Sequence, residues 1–233
     1  MKYVFGSDER TQGYARLQGT TIRHNAELPY VGASTLQKWI DRAAEYSGEE
    51  KTCVDDVVAG NPSIIDLEMG LPAIGDGRTA PRIDCVALEQ EGEVIRIVFW
   101  EAKMIDDSRL RSNNEPEVFK QVEVYRTYLA DSDRAQGIEI AYRNVCGLLQ
   151  DMRAMAASLG KDIKLDQLII QAADKEANLR VDPNPRLVIL HGNDARKIGS
   201  WAPHEYKLRE TLRITCLVFQ KEPYTFRRPE MKS

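Results

Sequence analysis

The sequence predicts a mixed α/β fold, in which helices flank a central mixed β-sheet. Stretches rich in β-branched and aromatic residues, such as Val94–Met104, are typical of strands, and several longer stretches repeat apolar residues at helical spacing. Their order is helix, three strands, two helices, strand, helix, strand. This order lacks the strict alternation of a parallel βαβ fold, so we expect a sheet with both antiparallel and parallel neighbours.

The length and composition predict one domain. The 233 residues fit a single core over residues 34–190, with an N-terminal arm over 1–33 and a C-terminal helix and strand extension over 191–233. No apolar run approaches the ~20 residues of a membrane span, and the N-terminus lacks signal-peptide features. We therefore expect a cytoplasmic protein with no membrane partner. The cysteines are scattered without a C-x-x-C pair, so we expect reduced thiols: Cys53, Cys85, Cys146 and Cys216.

The sequence before residue 34 is polar and irregular, so we expect little regular structure there. Within it, Arg16–Arg23 fits either a strand or an arm. Ser34 is a suitable N-cap for a helix over Leu36–Tyr46, and a second, short helix is predicted over Glu50–Val58.

Three strands are predicted next. The first is Ser63–Met69, followed by a Gly- and Pro-rich loop over Gly70–Pro81. The second is Arg82–Leu88, and a turn between Gln90 and Glu93 joins it to Val94–Met104. The apolar run at the start of that third strand predicts burial on both faces.

Helices dominate the following part. Pro116 suits the first turn of a helix with an apolar stripe that includes Val122 and Tyr125. A longer helix is predicted over Gly137–Leu159, with Gly160 at its C-cap, and a less regular helical pattern covers Leu165–Ala177. The last predicted elements are a strand, a short helix and a strand: Arg186–Leu190, His204–Leu212 and Ile214–Phe219.

Charged residues near the ends of the second and third strands predict a functional site. Glu101 and Lys103 are two apart, so they share one face of a strand, with Cα atoms roughly 6.5 Å apart. The predicted hairpin lays Asp84 beside them. Ionic side chains on a buried strand lose hydration energy, so a functional reason is expected for them.

This arrangement resembles the PD-(D/E)XK nuclease superfamily and its restriction-endonuclease-like core. The resemblance covers residues 34–190 and is carried by Asp84 on one strand and Glu101-Ala102-Lys103 on the next. It implies that Asp84, Glu101 and the carbonyl of Ala102 ligate Mg²⁺, with Mn²⁺ as a substitute. It also implies that Lys103 orients or deprotonates the attacking water.

Two further features bear on the resemblance. Gln121 and Tyr125 form a Q-x-x-x-Y pattern on one helix face, which is similar to the RecB-like branch; alternatively, Tyr125 simply belongs to the apolar stripe. A third carboxylate has several candidates: Glu45, Glu49, Glu50 and Glu68. We favour Glu68 as a metal ligand because it interrupts an apolar strand, although an ion pair at the sheet edge is the alternative.

The expected function is that of a Mg²⁺-dependent nuclease acting on DNA, for which a homodimer would suit double-strand cleavage. The rival is a non-catalytic nucleic-acid-binding or assembly module on the same fold. The net charge of −4 argues against simple electrostatic coating of DNA. Phosphate-loop, dinucleotide-binding and serine-hydrolase motifs are absent, and we expect a structural role for His191.

Overall fold

A computed structural model gives the fold. It describes residues 2–5, 13–18, 21–24, 34, 37–38, 40–41, 49–71, 82–111, 115–191, 201–219 and 224–226. The chain divides into two compact units, residues 1–52 and 53–233. Within the described residues, no helix is both long and apolar enough to cross a membrane.

The first unit contains a three-stranded antiparallel sheet, with strands in the order β1 (Lys2–Phe5), β2 (Gly13–Gln18) and β3 (Thr21–His24). The segment Arg16–Arg23, predicted as one strand or an arm, instead forms parts of two strands joined where Gln18 pairs with Thr21. In the segment Leu36–Tyr46, predicted as a helix, the positions that the structure describes are helical: Gln37, Lys38, Ile40 and Asp41. The other positions of that segment lie outside the described residues.

The second unit is built on a six-stranded mixed sheet, which confirms the predicted fold class. The strands lie in the order β4-β5-β6-β8-β9, and β7 also pairs with β6. The elements are α1 (Glu49–Gly60), β4 (Ile64–Gly70), β5 (Arg82–Glu91), β6 (Val94–Met104), α2 (Glu117–Leu129), α3 (Ser132–Ser158), α4 (Gln167–Ala172), β7 (Leu179–Val181), β8 (Arg186–Leu190), α5 (Ala202–Tyr206) and β9 (Cys216–Phe219).

Strands β6 and β8 have the predicted bounds, whereas several other bounds differ. Helix α3 begins at Ser132 rather than Gly137, because the Asp131 carboxylate caps it by accepting a hydrogen bond from the Arg134 amide. The pattern over Leu165–Ala177 yields only the short α4. The short strand β7, which pairs with Ile95–Ile97, was not predicted.

Two further segments of the second unit compare with their predictions as follows. Helix α5 is followed by a π-helix over Lys207–Thr211 in place of one continuous helix. Most of the predicted loop Gly70–Pro81 lies outside the described residues.

Strand β6 is the central element that positions the site. It pairs antiparallel with β5 as far as Trp100, whose partner is Cys85. From Trp100 to Met104 it pairs parallel with β8, where the partners are Arg186 to Leu190. Its side chains alternate between two apolar clusters, one with Phe99 and the other with Trp100. Because Glu101 and Lys103 continue the series of Phe99, they lie on the face that packs against α2.

The end of α1 approaches the chain near its C-terminus so closely that only glycine fits at position 60. A Cβ atom there would lie 2.7 Å from the backbone oxygen of Tyr224. We expect Gly60→Ala to lower the free energy of unfolding by about 1–3 kcal/mol, measured by chemical denaturation. Gly147→Ala is the control, because a Cβ atom at that position in α3 meets no atom within 4 Å beyond the neighbouring backbone of its own helix. It should raise stability by about 0.5–1 kcal/mol, and equal effects of the two substitutions would contradict the packing argument.

Candidate active site

The predicted site residues meet where β5 and β6 separate. The ladder of paired residues between the two strands ends where Cys85 pairs with Trp100. Just beyond it, the Asp84 carboxylate accepts a hydrogen bond of 2.7 Å from the backbone N–H of Ala102. A side chain thus satisfies an amide of the central strand and brings Asp84 beside Glu101 and Lys103, as the sequence predicted.

The Lys103 ammonium lies among three oxygen atoms. It donates hydrogen bonds to Glu101 Oε1 at 2.5 Å and to the Ala102 carbonyl at 2.8 Å. Asp84 Oδ2 lies 3.9 Å from the same nitrogen. The side chains of Glu101 and Lys103 are each only 3% exposed, whereas that of Asp84 is 23% exposed. The oxygen set therefore surrounds a cation and reaches solvent on the Asp84 side.

Helix α2 contributes Gln121 and Tyr125. The Gln121 amide donates to Glu101 Oε1 at 2.7 Å and to the Tyr125 hydroxyl oxygen at 2.6 Å. The Tyr125 hydroxyl lies within hydrogen-bonding distance of both the Arg82 carbonyl and Glu101 Oε2. The two interpretations of Tyr125 are thus compatible, since its fully buried ring packs in the apolar core while its hydroxyl reaches the site.

Burial dominates the electrostatics of both carboxyl groups. It raises the pKa of Glu101 to about 7, with a further contribution from the Asp84 charge and opposition from Lys103. Burial also raises the pKa of Asp84, opposed by Lys103 and the Ala102 amide. Two carboxylates share one ammonium, so a further positive charge in the oxygen set would favour the ionised form of both.

Glu68 forms the ion pair that the sequence left as an alternative. Its neighbours in β4 pair with Cys85 and Ile83, which places Glu68 opposite Asp84. Its carboxylate lies 3.4 Å from the Arg82 guanidinium, and both side chains are more than half exposed. The backbone of Glu68 has φ of +54°, a left-handed conformation that is strained for a residue with a side chain.

The other acidic candidates lie at or before the start of α1 in the sequence, and Glu50 is part of that helix. Glu45 and the side chain of Glu49 lie outside the described residues. Within the part of the chain that the structure describes, no three His, Cys, Asp or Glu side chains form a group suited to a metal ion. His191 is buried after β8, and burial lowers its pKa.

Sequence reasoning missed a further pair beside the site. The Asp107 carboxylate, in the turn three residues after β6, accepts hydrogen bonds from the Arg109 guanidinium, with the shortest contact at 2.5 Å. Burial raises the pKa of Asp84, and the Arg109 charge is among those that oppose this rise, which places Arg109 in the electrostatic environment of the site. The D-x-R spacing in a turn after a buried strand was the available signal.

Comparisons with protein-family models, curated proteins and solved structures find no match to this chain. The resemblance to the PD-(D/E)XK superfamily therefore stays a prediction. A function has to be proposed from the geometry of Asp84, Glu101 and Lys103 and of the helix that packs against them.

The raised pKa of Glu101 predicts a pH dependence of stability. The folded protein keeps this proton at pH values where the unfolded chain, with an ordinary pKa of 4.5, has lost it. The free energy of unfolding should therefore fall by about 3 kcal/mol through this group as pH rises from 4.5 to 7. Denaturation curves between pH 5 and 7.5 should show a shallower decline in Glu101→Gln. Glu91→Gln, at an exposed ion pair on β5, should leave the slope unchanged.

The strained backbone of Glu68 predicts that glycine is better tolerated there. Glu68→Gly should raise the free energy of unfolding by about 1 kcal/mol, because glycine adopts positive φ freely and the lost surface ion pair contributes little. Glu91→Gly has no strain to relieve and should lower stability by about 0.5–1 kcal/mol. Thermal denaturation of both variants measures the difference, and a destabilised Glu68→Gly would contradict the strain argument.

Proposed function

We propose that this protein is a metal-dependent nuclease that hydrolyses phosphodiester bonds, with DNA as the substrate. The observation that supports it best is the convergence of oxygens from Asp84, Glu101 and Ala102 on the one ammonium of Lys103. Such an oxygen set suits a hard divalent cation, which keeps some of its waters and needs few protein ligands. The residues present therefore fit Mg²⁺, or Mn²⁺ in its place.

Each residue has a defined part in this proposal. Asp84, Glu101 and the Ala102 carbonyl would hold the metal ion, which supplies Lewis acidity and lowers the pKa of a bound water. The Lys103 ammonium would leave its position among the oxygens, hold the attacking water by a hydrogen bond and offset negative charge developing on the phosphate. It remains attached to the same strand, so only its side chain has to move.

Gln121 and Tyr125 act as positioning residues. Together they contact both oxygens of the Glu101 carboxylate, from a helix whose apolar face is fixed in the core. Their contacts limit rotation of that carboxylate, which a metal ligand needs for constant geometry. Glu68, opposite Asp84 but paired with Arg82, would reach a metal ion only after releasing that partner.

One observation favours the non-catalytic rival. The buried Glu101 carboxylate already has a full set of partners in Lys103, Gln121 and Tyr125. A nucleic-acid-binding or assembly module could retain such a network for stability alone. Metal uptake separates the two functions, because the network of a binding module would be indifferent to Mg²⁺ and Mn²⁺.

The decisive measurement is cleavage of supercoiled plasmid, linear duplex, single-stranded DNA and RNA with Mg²⁺, Mn²⁺ or EDTA. We expect metal-dependent cleavage, strongest on a DNA substrate, that falls at least about 100-fold in Lys103→Met because the water loses its positioning group. Lys120→Ala removes an exposed lysine from α2 outside the network and should keep full activity.

Two controls guard this result. Removing the ammonium leaves the buried Glu101 carboxylate without its counter-charge, and such a loss strongly destabilises a folded protein. Circular dichroism must therefore show that Lys103→Met is folded. Lys103→Arg keeps the charge and serves as a second variant. Calorimetric Mn²⁺ binding that is lost in Asp84→Asn would support the metal site. Equal cleavage by wild type and folded Lys103→Met, or metal binding unchanged in Asp84→Asn, would overturn the proposal.

A further inference from the structure

A cleft of about 1000 Å³ lies partly on the sheet face opposite the candidate active site. Trp100 precedes Glu101 on β6, so its side chain points away from the Lys103 network. We call this cavity the Trp100 cleft, and its lining includes Asn61, Glu89, Trp100, Arg186 and Phe226. All of them belong to the second compact unit.

An aromatic pair forms one wall of the cleft. The rings of Trp100 and Phe226 stack with centroids 4.3 Å apart and planes inclined by 9°. Asn61 fixes the segment that carries Phe226, since its carbonyl accepts from the Phe226 amide at 2.6 Å and its amide donates to the Tyr224 carbonyl at 2.5 Å. The backbone of this wall is therefore tied to the end of α1, while the Phe226 side chain stays partly exposed.

A charged group forms the adjoining wall. The Arg186 guanidinium donates to Glu89 Oε2 at 2.8 Å and to Asp182 Oδ2 at 2.9 Å, and lies 5.4 Å from the centroid of the Trp100 ring. Burial would lower the pKa of Arg186, but the two carboxylates raise it, so the guanidinium stays charged. Two carboxylates against one cation leave this wall negative, which disfavours phosphates and other anions.

Two buried polar atoms at this wall have no hydrogen-bond partner among the described residues. They are Glu89 Oε1, an acceptor, and the indole Nε1 of Trp100, a donor. Buried polar groups without partners are rare and costly, so each one needs an explanation. A flat molecule whose edge offers both an N–H donor and an acceptor would complement the pair.

We propose that the Trp100 cleft binds a neutral nucleobase, as a free nucleoside or as an unpaired base of a strand. The base stacks on the face of Trp100 that Phe226 covers in this structure, one N–H donates to Glu89, and an acceptor on the base takes the indole N–H of Trp100. Both polar atoms are closed to water, so binding requires rotation of Glu89 and Phe226, whose side chains are only partly buried. The proposal does not depend on the proposed nuclease function.

Guanosine is the probe, because its base combines adjacent N–H donors with a carbonyl acceptor. Calorimetry in EDTA should give a dissociation constant of about 10 µM to 1 mM. Purine riboside, which lacks the N–H donors, and guanosine 5′-monophosphate, which adds negative charge, should both bind more weakly. A guanine-containing single-stranded oligonucleotide, compared with one carrying an abasic site, tests whether a base within a strand also enters the cleft.

Variants locate the binding. Glu89→Gln should weaken guanosine binding about tenfold, because a hydrogen bond to a charged group is lost. Trp100→Phe should weaken it about fivefold, because a neutral hydrogen bond is lost. Glu91→Gln, on the same strand but in an exposed ion pair, should bind as wild type does. If Trp100→Phe fails to fold, Phe226→Leu replaces it and should also weaken binding. No guanosine binding, tighter binding of the monophosphate, or wild-type affinity in Glu89→Gln would overturn the proposal.

The experiment also separates this site from the active site. Lys103→Met should bind guanosine as wild type does, whether or not wild type cleaves DNA. Loss of guanosine binding in folded Lys103→Met would place the nucleoside in the active site instead and overturn the proposal.

Discussion

The burial of Glu101 and Lys103 in the middle of the sheet is the constraint on which the site depends. There β6 is paired with β8 on one edge and has separated from β5 on the other, where the Asp84 carboxylate accepts from the Ala102 amide. Helix α2 covers the face on which the two side chains lie. Two charges in such surroundings are tolerated only when they are paired and hydrogen-bonded. The pair at 2.5 Å, the Ala102 carbonyl and the two polar groups of α2 meet that requirement together. Removing any one of these partners leaves another buried group unsatisfied, so the elements that carry them must dock as a set.

The same strand gives the two faces of the sheet different chemistry. Alternation along β6 sends Glu101 towards α2 and Trp100 towards the C-terminal segment at Phe226. Both faces contain a basic side chain held by acidic ones, Lys103 on one and Arg186 on the other. They differ in what surrounds the ion pair. The face of the candidate active site offers converging oxygens and suits a cation, whereas the opposite face offers stacked rings and suits a flat neutral molecule.

The sequence predicted the elements whose signal is local and could not predict those that depend on distant partners. Val94–Met104 was correct to the residue because an apolar run bounded by a turn and a polar loop identifies a buried strand without reference to its neighbours. Strand β7 was missed because its three residues pair only through β6, far away in the chain. The contacts of Glu68 with Arg82 and of Glu89 with Arg186 are likewise set by strand register. A pattern of spacings identifies the candidates for a site, while pairing across strands decides which of them meet.

The position of Lys103 raises the question of how one side chain could fill a proposed cation site and also serve the proposed chemistry there. An ammonium with three donors takes the place of a hard cation among oxygens, but it carries one charge for two carboxylates. Burial raises the pKa of both carboxyl groups, and the single ammonium opposes that rise without cancelling it. A divalent ion would remove that deficit of positive charge, so it would compete for the oxygens on charge, and the Lys103 side chain would then reach outward towards the more exposed Asp84. The closed network and the proposed catalytic one would then be two arrangements of the same residues, selected by the charge bound among the oxygens.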